Sequence, residues 1–506
     1  MNHINSTMLH IGKVAQYFFD NAVIEQVQDL TRVVHSPEKQ AGPLVTKDRP
    51  WEHIPYFTCN TWNVIRDELG GEFKCWYEDW NVDPREVART NNYSHQQMWY
   101  YYARSDDGLT WEKPELDYYE ENGRKTNIVF GNPTSLCIHA ATVLDDPLEA
   151  DRERRFKMLF VHYPPDKPRR IEVAYSPNGI VWKTFKEKPQ FGRLGPNLCD
   201  VLILTGDVEA RIYRLTTRHP DMYNADFDDR RPRTSSFFAP SFPQDVGRTN
   251  KRRVFQSMSR DLIHWSQPQL ILAPDDDEDN LDDGFYGMVP FRLGDLHVGL
   301  LNVIHQVSNR LDVRLVYSRD GWRWHHLSQR QPWLAPSPSD WDCCMVNVPN
   351  VPVPVGDELF VYYGGAKNHH DWWTEGLREG FGIPEALSMD EVSYGLGLAK
   401  LRKDGFVSID AGPVREGILI TRVLKTDGRN LVLNADCRNG GYIQVEVTDA
   451  QEQVLTGCAR TQCDTFSGDN TQAMITWNGK ADIAHNGHLR LRFFMRNASL
   501  YSFVFV

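Results

Sequence analysis

The feature that most constrains this chain is a short motif that keeps returning. Ser105-Asp-Asp-Gly-Leu-Thr-Trp111 comes back as Ser176-Pro-Asn-Gly-Ile-Val-Trp182, as Ser259-Arg-Asp-Leu-Ile-His-Trp265 and as Ser318-Arg-Asp-Gly-Trp-Arg-Trp324. A fifth, degenerate copy is Arg402-Lys-Asp-Gly-Phe406. Each follows an alternating run that reads as a strand: MWYYYAR, IEVAYS, RRVFQSMS, DVRLVYS and YGLGLAKL. Asp or Asn followed by Gly supplies the left-handed turn of a hairpin, and the closing aromatic folds back over the edge of the unit. A second strand family precedes each copy: FKCWYEDW, FKMLFVHY, ARIYRLTTR, LHVGLLNVIH and ELFVYYGG. A third lies earlier still: TWNVIRDE, HAATVLDDP, DVLILTGD, YGMVPFRLGD and MVNVPNVPVPVGD. Three or four strands per unit, recurring five times in the same order, predict an all-β chain built around a five-bladed β-propeller.

The ends of the chain break the repeat. Residues 1–50 mix the extended stretch AQYFFDNAVIEQVQDLTRVVHSPEK with polar connections, and predict an N-terminal extension packing on the propeller of residues 51–410. Beyond Asp410, NADCRNGGYIQVEVTDA and HLRLRFFMRNASLYSFVFV alternate strictly, so 411–506 reads as a C-terminal β-sandwich. A chain that is 41% hydrophobic and 25% charged can fill a large core. The formal charge of -12 argues against nucleic acid or an anionic membrane as partner. There is neither a long apolar span nor a secretory leader pattern, so cytoplasmic residence is expected. Nine cysteines without a CxxC pair read as small buried hydrophobes rather than a disulfide or metal framework.

In a propeller, the innermost strand of each blade starts at the face where the second strand ends, and the loops there line a central funnel. That rule gathers Asn60, Asn63, His139, Asp200, Asp283, Tyr286, Asp340 and Asp342 from the strand starts. It gathers Glu78, Asp79, His162, Arg218, His219, His305, Lys367, His369 and His370 from the strand ends. Cleaving a glycosidic bond by hydrolysis needs two carboxyl groups, one protonated and one ionised. Asp200, alone ahead of the apolar VLIL, is the first candidate. Asp342, with Trp341 as a stacking partner, is the second. Glu78, flanked by aromatics in Trp76-Tyr-Glu-Asp-Trp80, is the third, as proton donor. His139, Arg218, Tyr286, His305, Trp341, His369, His370 and Trp80 are expected to bind substrate, with Arg218 clamping planar oxygens. The run His369-His-Asp-Trp-Trp373 is too apolar to leave wet and predicts a lid over the funnel.

The acidic run Asp275-Asp-Asp-Glu-Asp-Asn-Leu-Asp-Asp283 lacks the glycine and the closing glutamate of a calcium loop. It reads as a solvated loop whose end reaches the funnel. No phosphate-cradling glycine loop, nucleophile elbow or HExxH occurs, so no metal or other cofactor is called for.

Several stretches together resemble the superfamily of five-bladed propeller glycoside hydrolases that contains families 32, 43, 68, 117 and 130, with the family 32-like bacterial group most similar. They are Phe18-Phe-Asp20, HSPEK, Arg49-Pro-Trp-Glu52, LDVRLVYSRDGWRW, Ser339-Asp-Trp-Asp342 and GDELFVYYGG, with NADCRNGGYIQVEVTDA in the C-terminal region. The resemblance implies a carbohydrate substrate and a glycosidase, with exo-acting hydrolysis as the leading expectation. The family 32 motifs N-D-P-N, R-D-P and E-C are absent: blade one offers Asn60-Thr-Trp-Asn63 instead. No catalytic residue therefore carries over. Two alternatives share the scaffold. A phosphorylase would need two or more Arg or His side chains clustered in the funnel; a noncatalytic sugar-binding propeller would need no carboxyl pair.

Overall fold

The computed structural model describes residues 8–81, 97–131, 136–164, 169–196, 198–207, 210–218, 252–275, 277–373 and 382–506. The chain is nearly all β. Among the described residues the one α-helix is the single turn Pro384–Leu387, and no helix is long and apolar enough to cross a membrane.

Five antiparallel meanders follow one another. The first runs Trp62–Arg66, Phe73–Asn81, Gln97–Ser105 and Ile128–Phe130. The second runs Ile138–Asp145, Phe156–His162, Arg170–Ser176 and Lys183–Thr184. The third begins Leu202–Asp207, Ile212–Thr217 and Val254–Ser259. The fourth begins Asp283–Leu293, Leu296–His305 and Arg310–Ser318. The fifth comprises Met345–Asn347, Glu358–Ala366 and Tyr394–Arg402. Second strands such as Phe156–His162 are buried along their whole length. Both faces of each sheet are therefore covered, and the residues read as unbroken apolar runs rather than as an alternation.

Hydrogen bonds pass from each meander to the next in a closed circuit. Val143 N–H donates to Asn63 Oδ1 at 2.6 Å, and Leu204 N–H to Thr142 Oγ1 at 3.1 Å. Thr216 Oγ1 donates to the Met288 carbonyl. Val348 N–H reaches Asn302 Oδ1 at 2.8 Å. The fifth meander returns to the first, as Trp62 Nε1 donates to Asn347 Oδ1 at 3.1 Å and Val64 N–H to Asn350 Oδ1 at 3.0 Å. Short amides and hydroxyls thus satisfy backbone groups where one meander faces the next.

The repeated turn is built the same way at its first four copies. In the second, Gly179 N–H donates to Ser176 Oγ (2.8 Å), while Ile180 and Val181 N–H donate to Asn178 Oδ1 (3.0 Å each). Gly108, Gly179 and Gly321 sit at φ 76, 78 and 74, and Leu262 takes the same left-handed position at φ 66. The turns also interlock neighbours: Trp76 of the first meander donates to the Gly179 carbonyl, and Tyr362 of the fifth to the Gly108 carbonyl.

A separate ten-stranded sheet is where the two ends of the chain interleave. Ile24–Gln28 pairs with Gly417–Thr421, and Leu30–Val34 with Val407–Ala411. Gln16–Tyr17 pairs with the long strand His488–Phe505. Glu38–Lys39 of the N-terminal segment pairs instead with the outer strand of the fifth meander, to which Val45 adds a bridge at Leu396. All nine cysteines are free thiols.

Candidate active site

A deformation of the second meander organises the site. The register between Ile138–Asp145 and Phe156–His162 slips between His139 and Thr142, and Ala140 takes a left-handed φ of 51. Such a backbone costs a non-glycine residue about 1–2 kcal/mol and persists only where its surroundings hold it. Glu78 is what holds it. Ala140 N–H donates to Glu78 Oε2 at 2.9 Å, His139 Nδ1 lies 2.8 Å from Oε1, and Trp80 Nε1 donates to the same Oε1. The Glu78 carboxyl is wholly buried beneath these groups. Burial works against the His139 imidazolium, but Glu78 outweighs it, and Asp200 adds to Glu78 while Arg169 opposes, so the His139 pKa stands above its ordinary value. Trp80 lies edge-on to His139 (centroids 5.4 Å apart) and packs at a tilt against Tyr56, 4.2 Å away.

Asp200 stands two residues ahead of the strand Leu202–Asp207, its side chain 30% exposed. Arg218 Nη2 donates to Oδ1, and Arg169 Nη1 is 3.7 Å from Oδ2. Burial would raise its pKa, but Arg218, Arg169, His139 and Arg252 hold it far below the usual carboxylate range. Both Arg218 and Arg252 sit over the Tyr286 ring, at 5.2 and 4.1 Å. The Tyr286 hydroxyl meets His370 Nε2 at 3.1 Å. Burial pushes the His370 pKa down to about 4, so this imidazole is neutral near pH 7. The Arg252 side chain is also buried, 8% exposed, and its Nη1 has no hydrogen-bond acceptor among the described residues. Structures rarely leave a buried guanidinium group unmatched.

Glu78, Trp80, His139, Asp200, Arg218, Tyr286 and His370 are thus brought into one cluster. The other expected residues lie elsewhere. Asp342 is almost completely buried, its Oδ2 2.6 Å from Lys39 Nζ, and Trp341 beside it stacks on Tyr363 at 5.8 Å. This pair fastens the outer strand Glu38–Lys39 to the fifth meander. His305 is clamped between Asp283 (2.7 Å) and Asp312 (2.8 Å). Burial pulls its pKa down, but the two aspartates win and raise it to about 10. His369 lies 2.5 Å from Glu385 and stacks on Trp372, away from His370. The acidic run differs from the solvated loop expected: Asp279 and Asp283 are buried, held by Arg314 at 2.8 and 2.6 Å. Of the expected lid, Trp373 is buried within 6.0 Å of Trp80, and residues 374–381 lie outside the described ones, as does His219.

Arg169, Arg252 and Tyr163 belong to the cluster and were not anticipated. Arg169 and Arg252 open the third strands of their meanders, which begin at the same face where the second strands end. Extending the strand-end rule to third strands would have found both.

No protein-family model matches the chain, and no curated protein matches it. Among solved structures, a glycosyl hydrolase from Bacteroides ovatus is 13% identical, with 73% of this chain and 94% of that one covered and a TM-score of 0.44. The β-1,2-mannobiose phosphorylase from Listeria innocua is 12% identical, covering 72% and 96%, with a TM-score of 0.43. A thermostable family-43 glycoside hydrolase is 14% identical, covering 69% and 92%, with a TM-score of 0.42. A likeness of this kind does not carry a reaction across, because chemistry resides in side chains.

Proposed function

We propose that this chain cleaves a glycosidic bond with phosphate as the attacking group, in a funnel at the centre of a five-bladed propeller. In this reading the five linked meanders are the blades. Residues 411–506, interleaved with the N-terminal strands, form the sandwich beside them.

The supporting observation is a concentration of guanidinium groups at one place, in a chain whose formal charge is -12. Arg169, Arg218 and Arg252 all act on Asp200, and the buried Arg252 Nη1 has no hydrogen-bond acceptor among the described residues. Phosphate fits such a site, since guanidinium groups bind its oxygens through paired, charge-assisted hydrogen bonds. Hydrolysis by paired carboxyl groups fits less well. It needs a protonated and an ionised carboxyl both reaching the sugar, whereas Glu78 is sealed under three donors and Asp200 is held ionised. Asp200 then serves to stabilise positive charge developing at the anomeric carbon. Asp342, committed to Lys39, takes no part.

The arginines also favour a second reading, exo-hydrolysis of an acidic terminal sugar whose carboxylate occupies Arg169 and Arg218. A panel of neutral and acidic oligosaccharides, incubated with and without phosphate, separates the two. Sugar phosphate formed only when phosphate is present supports phosphorolysis. Free sugar released at equal rates in both replaces it with hydrolysis. Binding without cleavage would make the chain a sugar-binding module.

A further inference from the structure

We propose that His139 is the proton donor to the departing sugar oxygen, and that Glu78, buried behind it, is the residue that positions it. The inference rests on the cleavage reading but not on whether phosphate or water attacks. It moves the acid role expected of Glu78 onto its neighbour.

The geometry assigns the two roles. Glu78 cannot reach a substrate, because its carboxyl is 0% exposed and occupied by Trp80 Nε1, Ala140 N–H and His139 Nδ1. His139 can. Its Nδ1 is taken by Glu78, while Nε2 has no hydrogen-bond partner among the described residues, in a side chain 14% exposed. The charged groups facing the ring are Glu78 from the first meander, Asp200 from the third and Arg169 from the second, with Tyr163 at 6.0 Å. The strained Ala140 and the bulge beside it have a function on this account. They set the His139 ring with Nδ1 against Glu78 and aim the next N–H at the carboxylate that anchors it. An anionic hydrogen-bond partner on one ring nitrogen fixes the tautomer and steadies the charged form, leaving the other N–H to act.

The step balances. A phosphate oxygen bonds to the anomeric carbon as the glycosidic C–O bond breaks, and the electron pair stays on the departing oxygen. That oxygen takes the proton from His139 Nε2 and leaves as an alcohol. The sugar phosphate, formed from a dihydrogen phosphate ion, sheds one proton, which restores the imidazolium.

The test uses two substrates with the same sugar, identified from the oligosaccharide panel. One has a sugar leaving group; the other has 4-nitrophenol, which departs without protonation. His139→Gln should lose roughly 10²- to 10⁴-fold in kcat on the first and stay within a few-fold on the second. Equal losses on both substrates would overturn the proposal. Glu78→Gln keeps the size and an acceptor oxygen but removes the charge. Activity that needs a protonated His139 falls as pH rises through its pKa, so this variant should shift the alkaline limb of the kcat/KM profile down by about one pH unit or more. Imidazole NMR titration of the same variant should show His139 titrating at lower pH, a readout that needs no turnover. An unmoved limb together with an unmoved titration would overturn the positioning role. If the wild-type chain cleaves no glycoside yet the titration shifts as stated, the cleavage reading fails while the Glu78–His139 coupling stands.

Discussion

The interlock between neighbouring meanders can be tested at a single atom. Gly179 sits at φ 78, and a Cβ built there would lie 2.5 Å from Trp76 Cζ2. The same residue's carbonyl accepts from Trp76 Nε1 at 2.6 Å and Trp182 Nε1 at 3.0 Å, so the indole of the first meander cannot retreat without breaking that bond. Gly179→Ala therefore incurs two separate penalties. The left-handed backbone accounts for about 1–2 kcal/mol. Forcing a methyl into a filled site accounts for about 1–3 kcal/mol more. Gly123→Ala is the matched control: its φ is 76, with nothing within 4 Å of the new Cβ, so only the backbone part applies. Urea midpoints of the two variants, followed by tryptophan emission, should differ by the packing part, about 1–3 kcal/mol. Equal destabilisation would mean that Trp76 moves freely, and that the first and second meanders are not locked together through this turn.

Other expectations follow from the site and its surroundings. Arg252→Ala should raise KM for phosphate about ten- to a hundredfold, measured by initial rates at varied phosphate, because a charge-assisted hydrogen bond is lost. Asp342→Asn should leave kcat/KM unchanged while lowering the urea midpoint by about 1–3 kcal/mol, less than a fully buried pair because Lys39 is 21% exposed. The His305 clamp has its own pH signature. With a folded pKa raised to about 10 against about 6.5 unfolded, its stabilisation is complete below about pH 6.5 and fades as pH rises toward 10. Urea midpoints between pH 6 and pH 10 should fall for the wild type, and fall less steeply for His305→Gln.

What could be read from the sequence follows the range of the forces involved. The Ser-x-Asp-Gly turns and the alternating runs are local, and they mark the meanders and their order. The rule that strand starts and second-strand ends share a face is topological, and it reached Glu78, His139, Asp200, Arg218, Tyr286 and His370, which the structure draws together. It stopped short at Arg169 and Arg252, because third strands were left out of the rule. It placed Asp342 and Trp341 at the same face, but the lead-in to the short strand Met345–Asn347 turns to meet Lys39 instead. No local pattern announces a lysine that arrives from the far end of the chain. The burial of Asp279 and Asp283 was hidden for the same reason, since Arg314 and His305 neutralise them across strand registers. The sealing of Glu78 depends on a bulge at Ala140, which the sequence HAATV does not signal.

The interleaved ends bear on how the molecule is made. During synthesis, Ile24–Gln28 and Leu30–Val34 emerge long before their hydrogen-bonding neighbours, Gly417–Thr421 and Val407–Ala411. At ordinary translation speeds of about 5–20 residues per second, these early strands wait some tens of seconds with bare edges, the condition that invites pairing with a stranger. The meanders can close during that interval, so the chain completes its middle before its border. A nascent chain released before Val407 would keep the cluster around Glu78, His139 and Asp200 and lose the seam that protects Ile24–Gln28 and Leu30–Val34.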